Sequence, residues 1–353
     1  MPVSDARPKF TVVVPCYKSE ATLPRCLDSL ATQVFDDYEV VCVNDGSPDG
    51  CEGIIRDYCA RYPKIFRLVS RDNGGLYNAR WSGVDVARSP YVGFLDSDDY
   101  VDPTFVVSLY NALACSGASI AVCGFRRTDQ ATGKVLSSEM GALKAPIGIL
   151  RETGRLLEVN PAAWNKAYRI EVLRGMERVK APITTLEDVM FNLLAYLEAG
   201  DGAVVFTGTT PIHYMVHADS MINTMTLAQL DEVKRSLLEV RSYYEAHQAP
   251  EVLLQLLDAT AFLHLGVAMS SRLSANPEVD LRETLDGNTR YLDEHFPTWR
   301  TSPYIGLGYA RKVGSPAIEK LAIARAFYTR GLMAPFLGAY RFVTTTLGID
   351  IKW

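Results

Sequence analysis

The first 125 residues alternate between short apolar runs and stretches in which apolar residues recur with helical spacing. The apolar runs predict five strands, at residues 10–14, 38–43, 66–69, 91–95 and 119–125. The stretches between them predict helices at residues 21–32, 53–62, 76–87 and 103–114. Strands and helices that alternate in this way indicate βαβ units, so we expect an α/β fold with a doubly wound, mainly parallel sheet.

The rest of the chain has a different pattern. Residues 128–145 are polar and predict a hairpin or a mobile loop, and Thr185 has the features of a helix N-cap. From Thr226 onward, four helical segments follow at residues 227–247, 251–272, 280–295 and 317–332. We therefore place a domain boundary near Met225. It separates residues 1–225 from a helical region, residues 226–353, which we expect to bind the acceptor, form an oligomer or contact a membrane surface.

Charge and cysteine usage exclude several classes of protein. The formal net charge of −5 argues against general nucleic-acid binding. The seven cysteines lie between Cys16 and Cys123 without a CxxC pair, so we predict buried thiols in a reducing cytoplasm rather than a zinc site. Residues 1–9 form a short, mostly polar segment, and no run of about 18 apolar residues occurs. We therefore expect a cytoplasmic protein with neither a secretory signal nor a membrane span.

Three carboxylates within four residues follow the fourth predicted strand. Asp96, Asp98 and Asp99 come directly after the apolar run of residues 91–95. Like charges this close repel one another, and a divalent cation shared with substrate phosphates would relieve the repulsion. The alternative is a helix N-cap with acidic residues in the first turn, because Pro103 opens a helical pattern. Ligands of open α/β sheets bind where the strands end, so the cluster is a candidate cation site.

Polar clusters also follow the first three predicted strands. They read Pro15-Cys16-Tyr17, Asn44-Asp45-Gly46-Ser47 and Asn73-Gly74-Gly75. In a doubly wound sheet they meet the acidic cluster at one edge, where they offer the groups that a nucleoside diphosphate needs. No GxGxxG motif follows the first strand and no P-loop motif is present, so dinucleotide and P-loop sites are excluded.

Each polar group at this edge has a candidate partner on such a ligand. Tyr17 can lie against a base, and Asp45 can accept a hydrogen bond from a base N–H or a ribose hydroxyl. Asp96 can bind ribose, and Asp98 can hold a cation that bridges two phosphates. Arg80, on the third predicted helix, can reach a phosphate.

Six segments of the chain carry a family resemblance. They read TVVVPCYKSEATLPRCLDSL, VVCVNDGSPDG, NGGLYNAR, FLDSDDYVDP, WNKAY and LEDVMF, in this order. With them the chain resembles the family 2 glycosyltransferases of the GT-A fold, and the last two segments resemble the bacterial polysaccharide-biosynthesis branch. The resemblance covers roughly residues 9–223.

The resemblance implies a metal-dependent, inverting hexosyl- or N-acetylhexosaminyltransferase that uses a nucleotide-sugar donor, with UDP as the default nucleotide and Mn²⁺ or Mg²⁺ as cofactor. The acceptor would be a hydroxyl of a glycan or lipid-linked molecule in cell-surface polysaccharide synthesis. The resemblance places the metal ligand on Asp98, the ribose contact on Asp96, the base contact on Asp45 and the catalytic base on Asp188. The alternative for Asp188 is a first-turn acid that stabilises its helix. The predicted nucleotide site comprises Pro15, Tyr17, Glu20, Asp45, Asn73, Arg80, Asp96 and Ser97.

Four further residues are candidates for acceptor or phosphate contacts. Trp164 can stack on a sugar ring or pack in the core, and Lys166 can pair with a phosphate or with a site acid. Glu187 is expected to orient Asp188 or to have a structural role. His217 stands where the resembled family has a phosphate-contacting arginine. It can replace that arginine, bind metal or lie on the surface.

The end of the chain is basic and rich in aromatic residues. Residues 300–353 contain eight Lys or Arg and two acidic residues. This basic tail is either an amphipathic helix packed on its domain or a segment that binds an anionic membrane surface near a lipid-linked acceptor. Peripheral contact with the inner face of the membrane is therefore one expectation, and a homo-oligomer is another.

Two rival functions are compatible with part of these features. A sugar-nucleotide nucleotidyltransferase would have a related sheet, but it should carry a Gly-rich, Arg-containing loop that residues 15–20 lack. A non-catalytic scaffold of a polysaccharide assembly complex is the second rival. The presence of Asp96, Asp98 and Asp188 argues against a scaffold.

Overall fold

The structure is a computed structural model, and it describes residues 7–179, 185–216, 226–274, 276 and 279–339. The chain divides into two compact units. The first unit comprises Met1–Ile149 and Pro161–Ala218, and the second comprises Leu150–Asn160 and Asp219–Trp353. The segment Leu150–Asn160 thus belongs to the helical unit, although it interrupts the first unit in sequence. The boundary predicted near Met225 lies outside the described residues.

The described part of the first unit contains twelve strands. They are β1 (Phe10–Cys16), β2 (Tyr38–Asp45), β3 (Phe66–Arg71), β4 (Tyr91–Phe94), β5 (Tyr100–Val101), β6 (Ile120–Val122), β7 (Phe125–Asp129), β8 (Val135–Glu139), β9 (Ile147–Gly148), β10 (Lys166–Arg169), β11 (Ala203–Phe206) and β12 (Ile212–Val216). Eight of them form a central sheet in the order β3-β2-β1-β4-β10-β6-β11-β9.

The central sheet is mainly parallel, as predicted. Strands β1 to β4 pair in parallel, as do β6 and β11, whereas β10 runs antiparallel between β4 and β6. Strand β1 is buried along its whole length, which is typical of a sheet covered on both faces. It continues through Pro15 to Cys16, beyond the predicted end. The missing N–H of Pro15 is tolerated there because β4 pairs only with residues 11–13 of β1.

A smaller sheet has the order β5-β12-β7-β8. The antiparallel pair β7–β8 is the hairpin predicted within residues 128–145, although β7 begins at Phe125. The single strand predicted over residues 119–125 is instead divided between β6 and β7, in different sheets. The division falls at Gly124, where a Cβ atom would lie 2.7 Å from the backbone oxygen of Glu139. Only glycine allows that close approach of two backbones.

Six helices belong to the described part of the first unit. They are α1 (Leu23–Ala31), α2 (Cys51–Arg61), α3 (Leu76–Val86), α4 (Phe105–Ser116), α5 (Ile170–Gly175) and α6 (Glu187–Ala199). The predicted helices of the first 125 residues are therefore confirmed, with ends shifted by at most two residues. The predicted N-cap at Thr185 is wrong. Helix α6 begins after Leu186, which is left-handed with φ 62° and makes no side-chain capping bond.

The second unit is helical, as predicted. Its helices are α7 (Leu227–Ala246), α8 (Glu251–Ser274), α9 (Leu281–His295), α10 (Leu307–Val313) and α11 (Pro316–Thr329). Thr226 and Gln229 form a capping box at the start of α7. In the core of the unit, Phe262 of α8 stacks on Trp299 with 4.8 Å between ring centroids, and Tyr328 meets Phe262 edge-on.

Part of the basic tail packs into this core. Tyr328, Met333 and Leu337 are buried, which favours the packed interpretation for the described part of the tail, residues 300–339. By length and composition, α8 is the one helix within the described ranges that could cross a membrane, and 67% of its most apolar window is buried inside the protein. Core helices pass the same test. All seven cysteines are free, and five of them are buried.

Candidate active site

The carboxylate of Asp45, at the end of β2, binds the turn that follows β3. Its oxygens accept hydrogen bonds from the backbone N–H groups of Gly74, at 3.1 and 3.2 Å, and of Gly75, at 2.8 Å. Gly46 comes next with φ +63°, and a Cβ atom on it would lie 2.6 Å from the backbone nitrogen of Asn73. The two predicted turns therefore lie together, and Asn73 is exposed at their junction.

The loop after β1 is bound to the loop after β2 by three polar contacts. The backbone N–H of Lys18 donates to Ser47 Oγ at 2.7 Å. Glu20 Oε2 accepts from the backbone N–H of Gly50 at 2.9 Å, and the Glu20 N–H donates to Asp49 Oδ2 at 3.0 Å. Glu20 thus has a structural bond between loops as well as its predicted place in the nucleotide site.

Pro15 and Tyr17 lie at the end of β1 in opposite surroundings. Pro15 is buried in the sheet, so it can offer a ligand only its backbone. The side chain of Tyr17 is 44% exposed, and Lys18 Nζ lies 5.3 Å from its ring centroid. The ring of Tyr17 is therefore accessible to a planar base.

The acidic residues after β4 have different environments. Asp96 and Asp98 are partly exposed, whereas Ser97 is 9% exposed and Asp99 is completely buried. Asp99 Oδ1 accepts a hydrogen bond from the backbone N–H of Met215 at 2.8 Å, and burial raises the pKa of Asp99 well above its usual range. Asp99 therefore holds β12 in place, and Asp96 and Asp98 are the partly exposed acids of this cluster.

Arg80 gathers three carboxylates from distant parts of the first unit. Its Nη2 lies 3.1 Å from Asp96 Oδ1, and its Nη1 lies 3.1 Å from Glu187 Oε1 and 2.5 Å from Asp188 Oδ1. The guanidinium is 1% exposed and lies 5.9 Å from the ring centroid of Phe94. The sequence predicts a phosphate contact for Arg80. In the structure the side chain is buried among carboxylates, because the face of α3 that carries it points into the unit.

Arg80 and its carboxylate partners influence one another's protonation. Burial alone disfavours the charge of Arg80, but the three carboxylates outweigh it and raise its pKa. Burial raises the pKa of Glu187 to about 8 and that of Asp96 to about 6, in both cases against the opposing influence of Arg80. Glu187 therefore carries a proton at neutral pH for much of the time. This leaves one arginine charge shared chiefly by Asp96 and Asp188.

Trp164 and Lys166 are both buried. Trp164 stacks on Tyr214 at 5.1 Å between centroids and meets Phe125 edge-on, which favours the core-packing alternative for this residue. Lys166 Nζ donates to the backbone oxygen of Ala162 at 2.5 Å and to Asn165 Oδ1 at 2.9 Å. Burial lowers the pKa of Lys166 to about 7, while the charge of the nearby Asp188 opposes that shift.

Asn192 is a residue of the site that sequence reasoning missed. Its Nδ2 donates to the backbone oxygens of Asp188 and Pro161, each at 2.7 Å, and its Oδ1 accepts from the Tyr168 hydroxyl at 2.9 Å. It therefore fixes the first turn of α6 against the segment before Trp164. The signal for it was the spacing, because a residue four positions after Asp188 lies on the same helix face.

The predicted metal and phosphate residues are only partly assembled in the described structure. Within residues 7–179, 185–216 and the described helical ranges, no group of three His, Cys, Asp or Glu side chains forms a metal site. His217 lies outside the described residues. A cation at Asp98 would therefore depend on ligands from a bound diphosphate.

The chain is similar in sequence to known proteins. Residues 11–178 match the family model Glycosyl transferase family 2. EpsH of Bacillus subtilis (strain 168) is 27% identical over 268 residues, which are 74% of this chain and 76% of EpsH. EpsJ, an uncharacterized glycosyltransferase of the same organism, is 32% identical over 198 residues, which are 54% of this chain and 57% of EpsJ.

A solved structure has the same fold. It is S. aureus TarS 1–349 in complex with UDP-GlcNAc, with a TM-score of 0.62 at 20% identity and 92% of each chain covered. At this identity the likeness shows the fold, and it confirms the GT-A expectation. With the six sequence segments and the sheet topology, these matches identify family 2 of the glycosyltransferases as the family to which the chain is similar over residues 11–178.

Proposed function

We propose that this protein transfers a sugar from a nucleotide-sugar donor to a hydroxyl of a glycan or lipid-linked acceptor in cell-surface polysaccharide synthesis. UDP is the nucleotide we propose, since TarS, which shares the fold, binds UDP-GlcNAc. The transfer inverts the anomeric centre, because Asp188 acts as a base on the face opposite the departing nucleotide.

One observation carries the proposal: the side chain of Arg80 joins Asp188 to Asp96. These two carboxylates come from α6 and from the end of β4, yet both contact one guanidinium, with Asp188 Oδ1 at 2.5 Å and Asp96 Oδ1 at 3.1 Å. A candidate base and a candidate donor ligand are thereby held side by side. Transfer from a donor to a hydroxyl needs this proximity, because both reactants must meet at one carbon.

The described residues supply the groups for each part of the reaction. The Asp45 carboxylate and the turn at residues 73–75 that it binds form a nucleotide cradle. This cradle and the accessible ring of Tyr17 flank the nucleoside, and Asp96 accepts a hydrogen bond from a ribose hydroxyl. Asp188 Oδ1 is held by Arg80, and Oδ2 is the oxygen that takes the proton of the acceptor hydroxyl. The proton then resides on Asp188 while the acceptor oxygen bonds to the anomeric carbon and the nucleotide leaves.

Asp98 would hold a divalent cation together with the donor diphosphate. The donor set fits Mn²⁺ or Mg²⁺, since these ions use one or two carboxylates and complete their coordination with phosphate oxygens and water. The ion would supply positive charge for the departing diphosphate. Asp98 is partly exposed at the end of β4, as such a shared site requires.

A thermal-shift screen of nucleotide sugars with and without Mn²⁺ tests the proposal. A bound donor raises the melting temperature by mass action, so we expect a UDP-sugar to stabilise the protein only with the cation present. Asp98→Ala should abolish the cation-dependent part. Asp201→Ala, at an exposed aspartate in the turn before β11, is the matched control and should keep it.

Three outcomes would contradict this proposal. Equal UDP affinity of Asp98→Ala with and without chelator, measured by calorimetry, would remove Asp98 as the metal ligand. Consumption of nucleoside triphosphate and sugar phosphate would indicate a nucleotidyltransferase. No binding or turnover of any nucleotide sugar would leave the scaffold as the better interpretation.

A further inference from the structure

We propose that Arg80 is a positioning residue for the transfer, which fixes Asp188 and Asp96 relative to each other rather than binding the donor phosphates. This inference rests on the proposed function and adds a residue role to it. Its basis is the geometry of one side chain and the three carboxylates around it.

The guanidinium of Arg80 is enclosed by carboxylates. Arg80 is 1% exposed, its Nη1 contacts both Glu187 and Asp188, and its Nη2 contacts Asp96. A planar, five-donor fork can hold carboxylates in fixed directions, which an ammonium group cannot do. A diphosphate could bind the two terminal nitrogens only by displacing one of these carboxylates.

The Arg80 side chain is also supported by packed aromatic rings. It lies on α3, and its guanidinium is supported at 5.9 Å by the ring of Phe94 on β4. Phe94 in turn packs edge-on against Phe191 of α6, with 5.5 Å between centroids. The helix that carries Asp188, the strand that precedes Asp96 and the arginine between them therefore form one packed block.

Titratable side chains on four elements face Asp188. They are Arg80 on α3, Asp96 after β4, Glu187 on α6, and Lys166 and Tyr168 on β10. Among the described residues, Arg80 is the cation in direct contact with the Asp188 carboxylate. Without that contact the carboxylate is no longer held in one direction, so turnover should fall more than donor affinity.

The test compares two variants at Arg80 with a control elsewhere in the first unit. Arg80→Gln removes the charge, and Arg80→Lys keeps the charge but loses the fork. Arg88→Gln is the control. Arg88 also binds a buried carboxylate, with its Nη2 at 2.7 Å from Glu39 Oε2, but Glu39 lies near the opposite end of β2 from Asp45.

The expected results separate positioning from phosphate binding. Arg80→Lys should lower kcat by about 10- to 100-fold, the scale for misplacing a reacting group, and Arg80→Gln should lower it at least as far. Any loss of affinity, measured by calorimetry with Mn²⁺, should be shared by uridine and UDP, because Arg80 holds Asp96, the proposed ribose contact. Arg88→Gln should lower the melting temperature and leave kcat within about twofold of the unchanged protein.

Several results would overturn the inference. A tenfold loss of UDP affinity in Arg80→Lys that uridine does not share would show that the arginine binds the diphosphate. An equal fall of kcat in Arg88→Gln and in the two Arg80 variants would show a structural role only. If Arg80→Gln does not fold, Arg80→Lys decides, and full kcat in that variant refutes the positioning role. Failure of the proposed function is distinct, because the unchanged protein would then bind no UDP.

Discussion

Replacing Gly46 with alanine should disrupt the nucleotide cradle more than it disrupts the fold. Gly46 has φ +63°, and a Cβ atom there would lie 2.6 Å from the backbone nitrogen of Asn73 and 3.3 Å from the backbone oxygen of Arg71. Both contacts are with backbone, which cannot rotate away as a side chain can. The turn after β3 must therefore move, and it is the turn that the Asp45 carboxylate holds.

The magnitude has two parts. A left-handed backbone costs an alanine about 1 to 2 kcal/mol relative to glycine. Overpacking against fixed atoms costs about 1 to 3 kcal/mol more. The free energy of unfolding should thus fall by about 2 to 5 kcal/mol, which corresponds to a loss in melting temperature of about 2 to 4 °C per kcal/mol in a unit of this size.

The effect on binding follows from the hydrogen bonds that the displaced turn makes. Asp45 accepts from Gly75 N–H at 2.8 Å and from Gly74 N–H at 3.1 Å, and a shift of several tenths of an ångström weakens both. Weaker bonds to the turn leave the Asp45 carboxylate less well positioned for the nucleoside. We therefore expect UDP affinity, measured by calorimetry, to fall roughly tenfold, about 1.4 kcal/mol.

Two glycines separate the contributions. Gly133 has φ +70°, and a Cβ atom there would meet no heavy atom within 4 Å, so Gly133→Ala carries only the backbone contribution. Gly53 lies in α2 with open space around it, so Gly53→Ala should stabilise the protein by about 0.5 to 1 kcal/mol. Both controls should bind UDP normally. The reasoning is refuted if Gly46→Ala binds UDP like the unchanged protein and unfolds no earlier than Gly133→Ala.

Three further predictions follow from the site and from the basic tail. Asp188→Asn should lower turnover by roughly 10² or more with little change in donor affinity, and near-normal transfer would move the role of base to another residue. The pKa of Glu187 is raised to about 8, so the folded state holds a proton that the unfolded state releases, and stability falls as pH rises from about 4.5 to 8. Glu187→Gln should remove this loss, and its melting temperature relative to the unchanged protein should rise over that pH range; a constant difference would contradict the pKa. The full chain should sediment with anionic liposomes at low salt, and neutralising the exposed Lys312, Lys320 and Arg330 should weaken this binding; a chain that stays in the supernatant would rule out membrane contact.

The sequence alone determined the first four strands and helices of the first unit and the edge of the sheet at which its polar loops meet. The period of apolar residues is a local property, so both ends of β1 to β4 and of α1 to α4 were predictable to within two residues. The site followed because parallel strands all end at one edge, which brings Asp45 and the turn at Gly74 together without knowledge of any side-chain contact. The order and spacing of the six motif segments indicated the family that the chain resembles.

Only the tertiary structure decided how the charged groups share their surroundings. Asp96, Asp98 and Asp99 are the same residue type close together in sequence. Asp99 is nevertheless buried and accepts a hydrogen bond from the Met215 N–H, while the other two are partly exposed. Which acid is buried depends on the small sheet, whose strand β12 lies more than 100 residues away in the chain. No local pattern encodes that contact.

The role of Arg80 is the clearest case of information that the sequence does not contain. Arg80 and Asp188 are 108 positions apart in the chain, and their 2.5 Å contact exists only because α3 and α6 pack around Phe94. A buried arginine and an exposed one have the same helix propensity and the same charge, so the sequence predicted a phosphate contact for Arg80 and did not indicate its carboxylate partners. Burial by neighbouring elements decided that it binds carboxylates, because a charge removed from water must find its partners inside the protein.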